Sequence, residues 1–188
     1  IGILIPVVRC NHSDLGASRL GSTEAFTSQL VWTDNPNRVA VNSAVRKYGP
    51  VGTGSGGYLY VKPGAGTGNA VIAIKNTSDQ ILWSWHAWVC SDKPVVSGTK
   101  GFMDRNLGAT TKTPGLPSTL GLHYEWGRKD PFPGSASITS SVERTLYTET
   151  GTVQIKIEIV GEGDSTTGNL DIAVANPLTY YCGPDAIQ

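Results

Sequence analysis

The stretch from Asn69 to Cys90 limits the possible folds more than any other part of the chain. Asn69-Ala70-Val71-Ile72-Ala73-Ile74-Lys75 is rich in apolar and β-branched residues and suits a strand. Asn76-Thr77-Ser78-Asp79-Gln80 holds the residue types that favour a tight turn, and Ile81 to Cys90 reads as the returning strand. Side chains alternate across a strand, so Trp83, Trp85, Ala87 and Val89 share one face, and Leu82, Ser84, His86, Trp88 and Cys90 share the other. Both faces carry large apolar groups, which predicts a central strand covered on both sides. A lone hairpin is barely stable in water, so further strands must join it.

The neighbouring sequence supplies them. Residues 1–9 and 26–33 read as strands, the second ending at the turn signal Asp34-Asn35-Pro36-Asn37. Arg38 to Lys47 suggests another strand, Gly49 to Gly57 a glycine-rich loop, and Tyr58 to Lys62 a strand stopped by Pro63-Gly64. Short strands and turns in this density predict an immunoglobulin-like β-sandwich over residues 1–95. Ser91-Asp92-Lys93-Pro94 interrupts the pattern and places a boundary near 92–98. Residues 96–188 read as an irregular α+β unit. Gly101 to Leu107 reads as a short strand, 108–119 as a loop, and Leu120 to Trp126 as a strand or short helix. Val153, Ile155, Ile157 and Ile159 alternate with polar residues over Thr152 to Ile159, as in a half-buried or edge strand. Asn169 to Ala175 reads as a short helix, capped by Asn169 and ended before Asn176-Pro177. The 23 glycines and 11 prolines fit this mainly β class.

Charge narrows the partners. Fifteen basic and 15 acidic side chains balance, and no basic stripe is present, so nucleic acid is not an expected partner. No apolar run is long enough to span a membrane as a helix. Three cysteines, Cys10, Cys90 and Cys182, allow one internal pair at most; Cys10–Cys90 is one option, and Cys90 as a buried apolar residue is another. Ile1 to Val8 lacks the basic region and cleavage site of a signal peptide, and both ends of the chain read as cut ends.

Motifs for catalysis are missing. The sequence holds no GxSxG, no SxxK and no phosphate-binding loop, and His12, His86 and His123 show no metal-ligand spacing. The run Gly52-Thr53-Gly54-Ser55-Gly56-Gly57 is not followed by a helical pattern and reads as a hairpin loop. Asp164 sits in a Gly/acid loop without EF-hand spacing and reads as a solvated turn. Neither a catalytic residue, a metal nor a cofactor is expected. Glu125 and Asp130 lie among aromatic residues as a pair of glycosidase carboxylates would, though spacing alone does not single them out.

The aromatic residues offer the candidate ligand site. Trp83, Trp85, Trp88 and Trp126 have the flat apolar faces on which sugars stack. Trp83 and Trp85 read better as core, and Trp88, close to the strand end, fits either role. Tyr124, Trp126 and Arg128 alternate just before Asp130 and form either a ligand wall or an Arg–Asp pair pinning a loop beneath an aromatic lid. The candidate ligand-binding set is therefore Trp88, Tyr124, Trp126, Arg128 and Asp130.

Four segments carry a family resemblance: Ile81 to Val89, Phe102 to Ala109, Gly121 to Gly134 and Ala175 to Tyr181. Their order and wording resemble the fimbrillin-like, or major-paralogous-domain, surface proteins of Bacteroidales, over about residues 28–183. The resemblance implies an exported protein at the cell surface or fimbrium, associated with the outer membrane and commonly a lipoprotein. It implies adhesion or assembly rather than catalysis, and brings no catalytic residues with it. Other fimbrial or surface subunits are the implied partners, with a glycan or host protein as ligand. Residues 1–9 are the candidates for strand addition to a neighbouring subunit. The second half would be C-type-lectin-like or formylglycine-enzyme-like. The family pattern continues beyond Gln188 into a Trp-rich stretch and a Cys-Pro-Pro-Gly-like motif, so the chain reads as a fragment. The alternative from another class is a carbohydrate-binding or carbohydrate-active protein using Tyr124, Trp126 and Asp130.

Overall fold

The computed structural model describes residues 2–11, 18–35, 48–161 and 169–183. His12, the strand expected over 38–47, Asp164 and the C-terminal residues from Pro184 lie outside them. In chain order the strands are β1 (Ile3–Pro6), β2 (Thr27–Thr33), β3 (Tyr48–Val51), β4 (Tyr58–Val61), β5 (Gly68–Lys75), β6 (Ile81–Val89), β7 (Val96–Ser97), β8 (Phe102–Met103), β9 (Leu122–His123), β10 (Phe132–Pro133), β11 (Leu146–Tyr147), β12 (Thr152–Val153), β13 (Lys156–Ile159) and β14 (Thr179–Cys182). The α-helix α1 spans Leu170–Ala175, between β13 and β14. The protein is mainly β, in keeping with its composition, and among the described residues all but one of the strand pairs are antiparallel.

The largest sheet has the order β12-β11-β2-β5-β6, and a second has the order β1-β4-β3. The β5–β6 hairpin forms where its sequence places it. The Asn76 side chain accepts from the Ser78 and Gln80 amides, and Asp79 takes the left-handed conformation at φ 65°. β5 is the strand buried on both faces. Ala70, Ile72 and Ile74 point into one core; Val71 and Ala73 point into the other. Ile72 and Ile74 are 1% and 0% exposed, so cutting either to Ala costs roughly 2–5 kcal/mol.

The first core lies between the two sheets. Leu30, Ile72, Ile74 and Trp83 of the large sheet meet Tyr48, Leu59 and Val61 of the small one, with Val7, Leu20 and Val174 closing the ends. The second core lies on the opposite face, where Val31, Trp32, Val71 and Leu146 meet Leu122, Ile155 and Leu178. β2 serves both cores: alternation separates Leu30 from Val31, and the register shift between Leu30 and Trp32 puts Trp32 on the side of Val31. The large sheet also crosses residue 95: Tyr147 of β11 pairs with Thr33 of β2.

Four expectations need revision. Of the strand expected over 1–9 only Ile3–Pro6 forms, and Val7–Cys10 is a short 3-10 helix that buries Val7 and Cys10. β6 is the last strand of its sheet, not a central one. Its faces are covered all the same, because Leu170 and Val174 of α1 pack on the core beside it and the 104–130 loops cover the rest. The alternating stretch 152–159 is two strands. β12 pairs with β11, and after Gln154–Ile155 β13 turns to a parallel pairing with β14. Part of the glycine-rich segment is strand, since Gly49 and Pro50 lie in β3 and only 52–57 is turn. Gly54 is the tightest point of that turn: φ is +59°, and a Cβ there would stand 1.9 Å from the Ser22 carbonyl oxygen.

The short helix forms as its cap predicts. The Asn169 side chain accepts from the Asp171 and Ile172 amides, which satisfies two of the donors a helix start leaves open. Among the described residues no helix is long and apolar enough to cross a membrane.

Candidate functional site

The segment His123 to Phe132 is a loop closed by the β9–β10 pair, with His123 opposite Phe132 and Leu122 opposite Pro133. Gly127, at φ +76°, turns the chain, and the Arg128 amide donates to the Glu125 carbonyl across that turn. Two anchors then fix the loop to separate parts of the fold.

Arg128 is the first anchor. Its side chain is 1% exposed, and the guanidinium donates to the Thr179 carbonyl at 2.6 Å and the Asn176 carbonyl at 3.0 Å. It also stacks over the Phe132 ring at 4.4 Å and faces the Glu125 carboxylate at 3.7 Å. Burial works against the guanidinium's charge, and the Asp130 and Glu125 carboxylates favour it. The planar fork thus joins the loop to the α1–β14 connection.

Lys129 and Asp130 form the second anchor. Asp130 is 2% exposed; it accepts from the Ser84 hydroxyl at 2.6 Å and from the Lys129 ammonium at 2.8 Å. Lys129 also donates to the Ser84 carbonyl and lies 4.6 Å from the Trp83 ring centroid. Burial lowers its pKa, and the Asp130 charge and hydrogen bond oppose that shift. The loop is thereby tied to β6, the outermost strand of the large sheet.

The expected Arg–Asp pair is therefore replaced by two others, Arg128–Glu125 and Lys129–Asp130. Arg128 and Asp130 hold the loop in place. Trp88 lies elsewhere, half-buried, with its indole Nε1 donating to the Ala109 carbonyl at 3.0 Å. Trp83 is 7% exposed in the first core, and Trp85 packs against it half-buried. Only Tyr124 and Trp126 of the candidate set face solvent, at 45% and 92% exposure.

Beside this loop runs an open groove of about 1030 Å³. Tyr124, Glu125 and Phe132 line one side; Glu143 and Arg144 line another; Gln154 and Ile157 line a third. Trp88, Trp126, Arg128 and Asp130 are not among its lining residues. Glu125 has its pKa raised, chiefly by burial, with Arg128 and a backbone hydrogen bond acting the other way. Glu143, Gln154 and Tyr180 carry no local sequence signal for a site, since they reach the groove from distant segments. The alternation over 152–159 is the one pattern that points to an exposed polar face there.

A second polar network crosses β5 and β6. His86 Nε2 bonds with Asn69 Oδ1 at 2.9 Å, and the Asn69 amide nitrogen donates to Asp34 and to the Gly108 carbonyl, each at 3.0 Å. Burial pushes the His86 pKa down to about 4 against the pull of Asp34 and Asp130, so the ring is neutral near pH 7. Ser84 and His86 share a face but bond to different partners, and do not form a Ser–His pair. Cys10, Cys90 and Cys182 are unpaired thiols, Cys90 half-buried and 3.8 Å from the Ala109 carbonyl. Among the described residues no cluster of three or more His, Cys, Asp and Glu side chains is arranged to hold a metal ion.

Comparison with protein-family models, with curated proteins and with solved structures finds no match to this chain.

Proposed function

We propose that this chain is a non-enzymatic cell-surface or fimbrial subunit acting in adhesion or assembly. The observation that carries the proposal is the display of Trp126. The residue is 92% exposed, yet the loop beneath it is fixed by buried Arg128 to the α1–β14 connection and by buried Asp130 to β6. A rigid support under an exposed indole suits a docking surface, because little freedom is lost when a partner covers it. The cell-surface, outer-membrane-associated location rests on the resemblance of the four segments to the Bacteroidales family. So does a lectin-like arrangement of 96–188, whereas an immunoglobulin-like arrangement of 1–95 rests on the density of short strands and turns there. Two sheets sharing a core across Leu30, Ile72, Leu59 and Val61 support the sandwich.

Assembly has its own supporting observation. Among the described residues β1 pairs only with β4, at the edge of its sheet, and Ile3 and Leu4 are 53% and 55% exposed. Such a strand is suited to exchange with another subunit.

The test compares wild type with Trp126→Ala, on beads, for adherence to epithelial cells and to immobilised copies of the chain. Trp126→Ala should leave stability within about 0.5 kcal/mol, as exposed substitutions do. It should weaken adherence about tenfold or more, equivalent to a loss of at least ~1.4 kcal/mol of binding. A variant that adheres and assembles like wild type refutes the role of Trp126. Deleting residues 1–9 should abolish self-association if β1 is the exchanged strand, and an unchanged oligomeric state excludes that route.

A further inference from the structure

We infer that the open groove between β9–β10, β11–β12 and β13 binds a neutral oligosaccharide. This names a ligand class for the adhesion proposed above and rests on that reading. At about 1030 Å³ and open to solvent, the groove sits at the upper end of small-molecule sites and has room for a chain of sugar rings.

Its chemistry has two parts. Phe132, Leu146, Val153 and Ile155 supply an apolar wall. Around it, His123, Tyr124, Glu143 and Gln154 line the same space, and their side chains make no hydrogen bond to other described residues. A pyranose offers the complement: one face of C–H groups and a rim of hydroxyls that both donate and accept. Two aromatic rings stand ready to stack. Tyr124 is 45% exposed, and Tyr180 is braced edge-on by Phe132 at 5.5 Å and 81°, itself beneath Arg128.

Charge excludes acidic ligands. Arg144 is the one arginine in the lining, and it is already engaged by Asp34 at 3.4 Å and by the Ser135 carbonyl at 2.9 Å. Glu125 is likewise engaged by Arg128, which leaves the exposed Glu143 carboxylate, without an ion pair among the described residues, to repel sulfated or sialylated sugars and phosphates. A peptide added as a strand is disfavoured by the wall itself. β12 is two residues long, and the wall passes at 154–155 from pairing with β11 to pairing with β14. Among the described residues, strand is interrupted along this wall at 154–155. Recognition therefore falls to side chains.

The experiment uses the full chain on an array of neutral, sulfated and sialylated oligosaccharides, followed by calorimetry with the best neutral binder. Tyr124→Ala and Gln154→Ala are the variants, both at exposed positions and absent from the core clusters. Neutral glycans should bind, acidic ones should not, and each variant should weaken binding about tenfold or more. Binding of no neutral glycan, of acidic glycans only, or of neutral glycans with no loss in either variant overturns the inference. Two patterns separate it from the adhesion reading. If cell adherence survives Tyr124→Ala and Gln154→Ala but falls with Trp126→Ala, the groove inference fails and adhesion stands. If neutral glycans bind in the groove while the chain adheres to nothing, the adhesion reading fails and the groove remains.

Discussion

Removing the Asp130 carboxylate should destabilise the protein out of proportion to the size of the change. Asp130 and Lys129 are 2% and 17% exposed at their side chains and contact each other at 2.8 Å. Deleting one member of a buried pair costs roughly 3–5 kcal/mol, because the surviving charge is left without its partner. Lys129 keeps the Ser84 carbonyl and hydroxyl as acceptors and the Trp83 ring at 4.6 Å, so the lower end, about 3 kcal/mol, is expected for Asp130→Ala. That is a large share of the ~5–15 kcal/mol that holds a typical domain together. Urea unfolding followed by tryptophan fluorescence at pH 7 measures it. The pH dependence has a definite sign. Lys129 already has a lowered pKa in the folded state, and Asp130 opposes that shift. Without Asp130 the folded pKa drops further below the unfolded value. In the window between the two the unfolded chain binds more protons, so the stability of the variant rises with pH there. A second substitution, Lys129→Met, removes the stranded charge and should restore most of the loss, with a coupling of about 2 kcal/mol or more. A cost below about 1 kcal/mol for Asp130→Ala, or no rescue by Lys129→Met, would show that the pair does not hold the loop.

Two further outcomes follow from geometry. His86 has a folded pKa of about 4 against an unfolded value near 6.5, so its stabilisation is full above 6.5 and is lost as pH falls from there toward 4. The loss approaches about 3 kcal/mol, and His86→Gln should flatten the urea midpoint over that range; equal slopes in both proteins would refute the assignment. Gly54→Ala must place a Cβ 1.9 Å from the Ser22 carbonyl at φ +59°, and should cost at least about 2 kcal/mol in chemical unfolding, whereas a near-neutral result would mean the 52–57 turn is not held as described.

Local features of the fold were readable in the sequence. The Asn69–Cys90 hairpin and the Asn169-capped helix depend on neighbours a few residues apart, and both form where their signals lie. Trp83 as a core residue was readable for the same reason, since alternation assigns a face. What alternation does not give is the strand next door. β6 is covered on both faces by a helix and loops, so its pattern matches that of a central strand while its sheet position is an edge. The run 152–159 keeps its alternation while changing partners between β12 and β13, because a change of partner leaves the period untouched. The aromatic loop was found, but its ion pairs were misassigned. Arg128 is fixed by the carbonyls of Asn176 and Thr179, which the sequence brings near only through the fold. The groove was invisible for the same reason: His123, Glu143, Gln154 and Tyr180 converge from separate segments.

The pairing of Thr33 with Tyr147 also sets a schedule. During synthesis, at about 5–20 residues per second, β2 leaves the ribosome many seconds before β11 exists. Throughout that interval one edge of β2 has no strand beside it, and Val31 and Trp32 lack the Leu146 side of their core. Contacts so far apart in the chain slow folding and leave open strand edges available to other chains. The arrival of residues 146–153 pairs Thr33 with Tyr147 and brings Leu146 onto Val31 and Trp32, and a chain stopped before them would lack both.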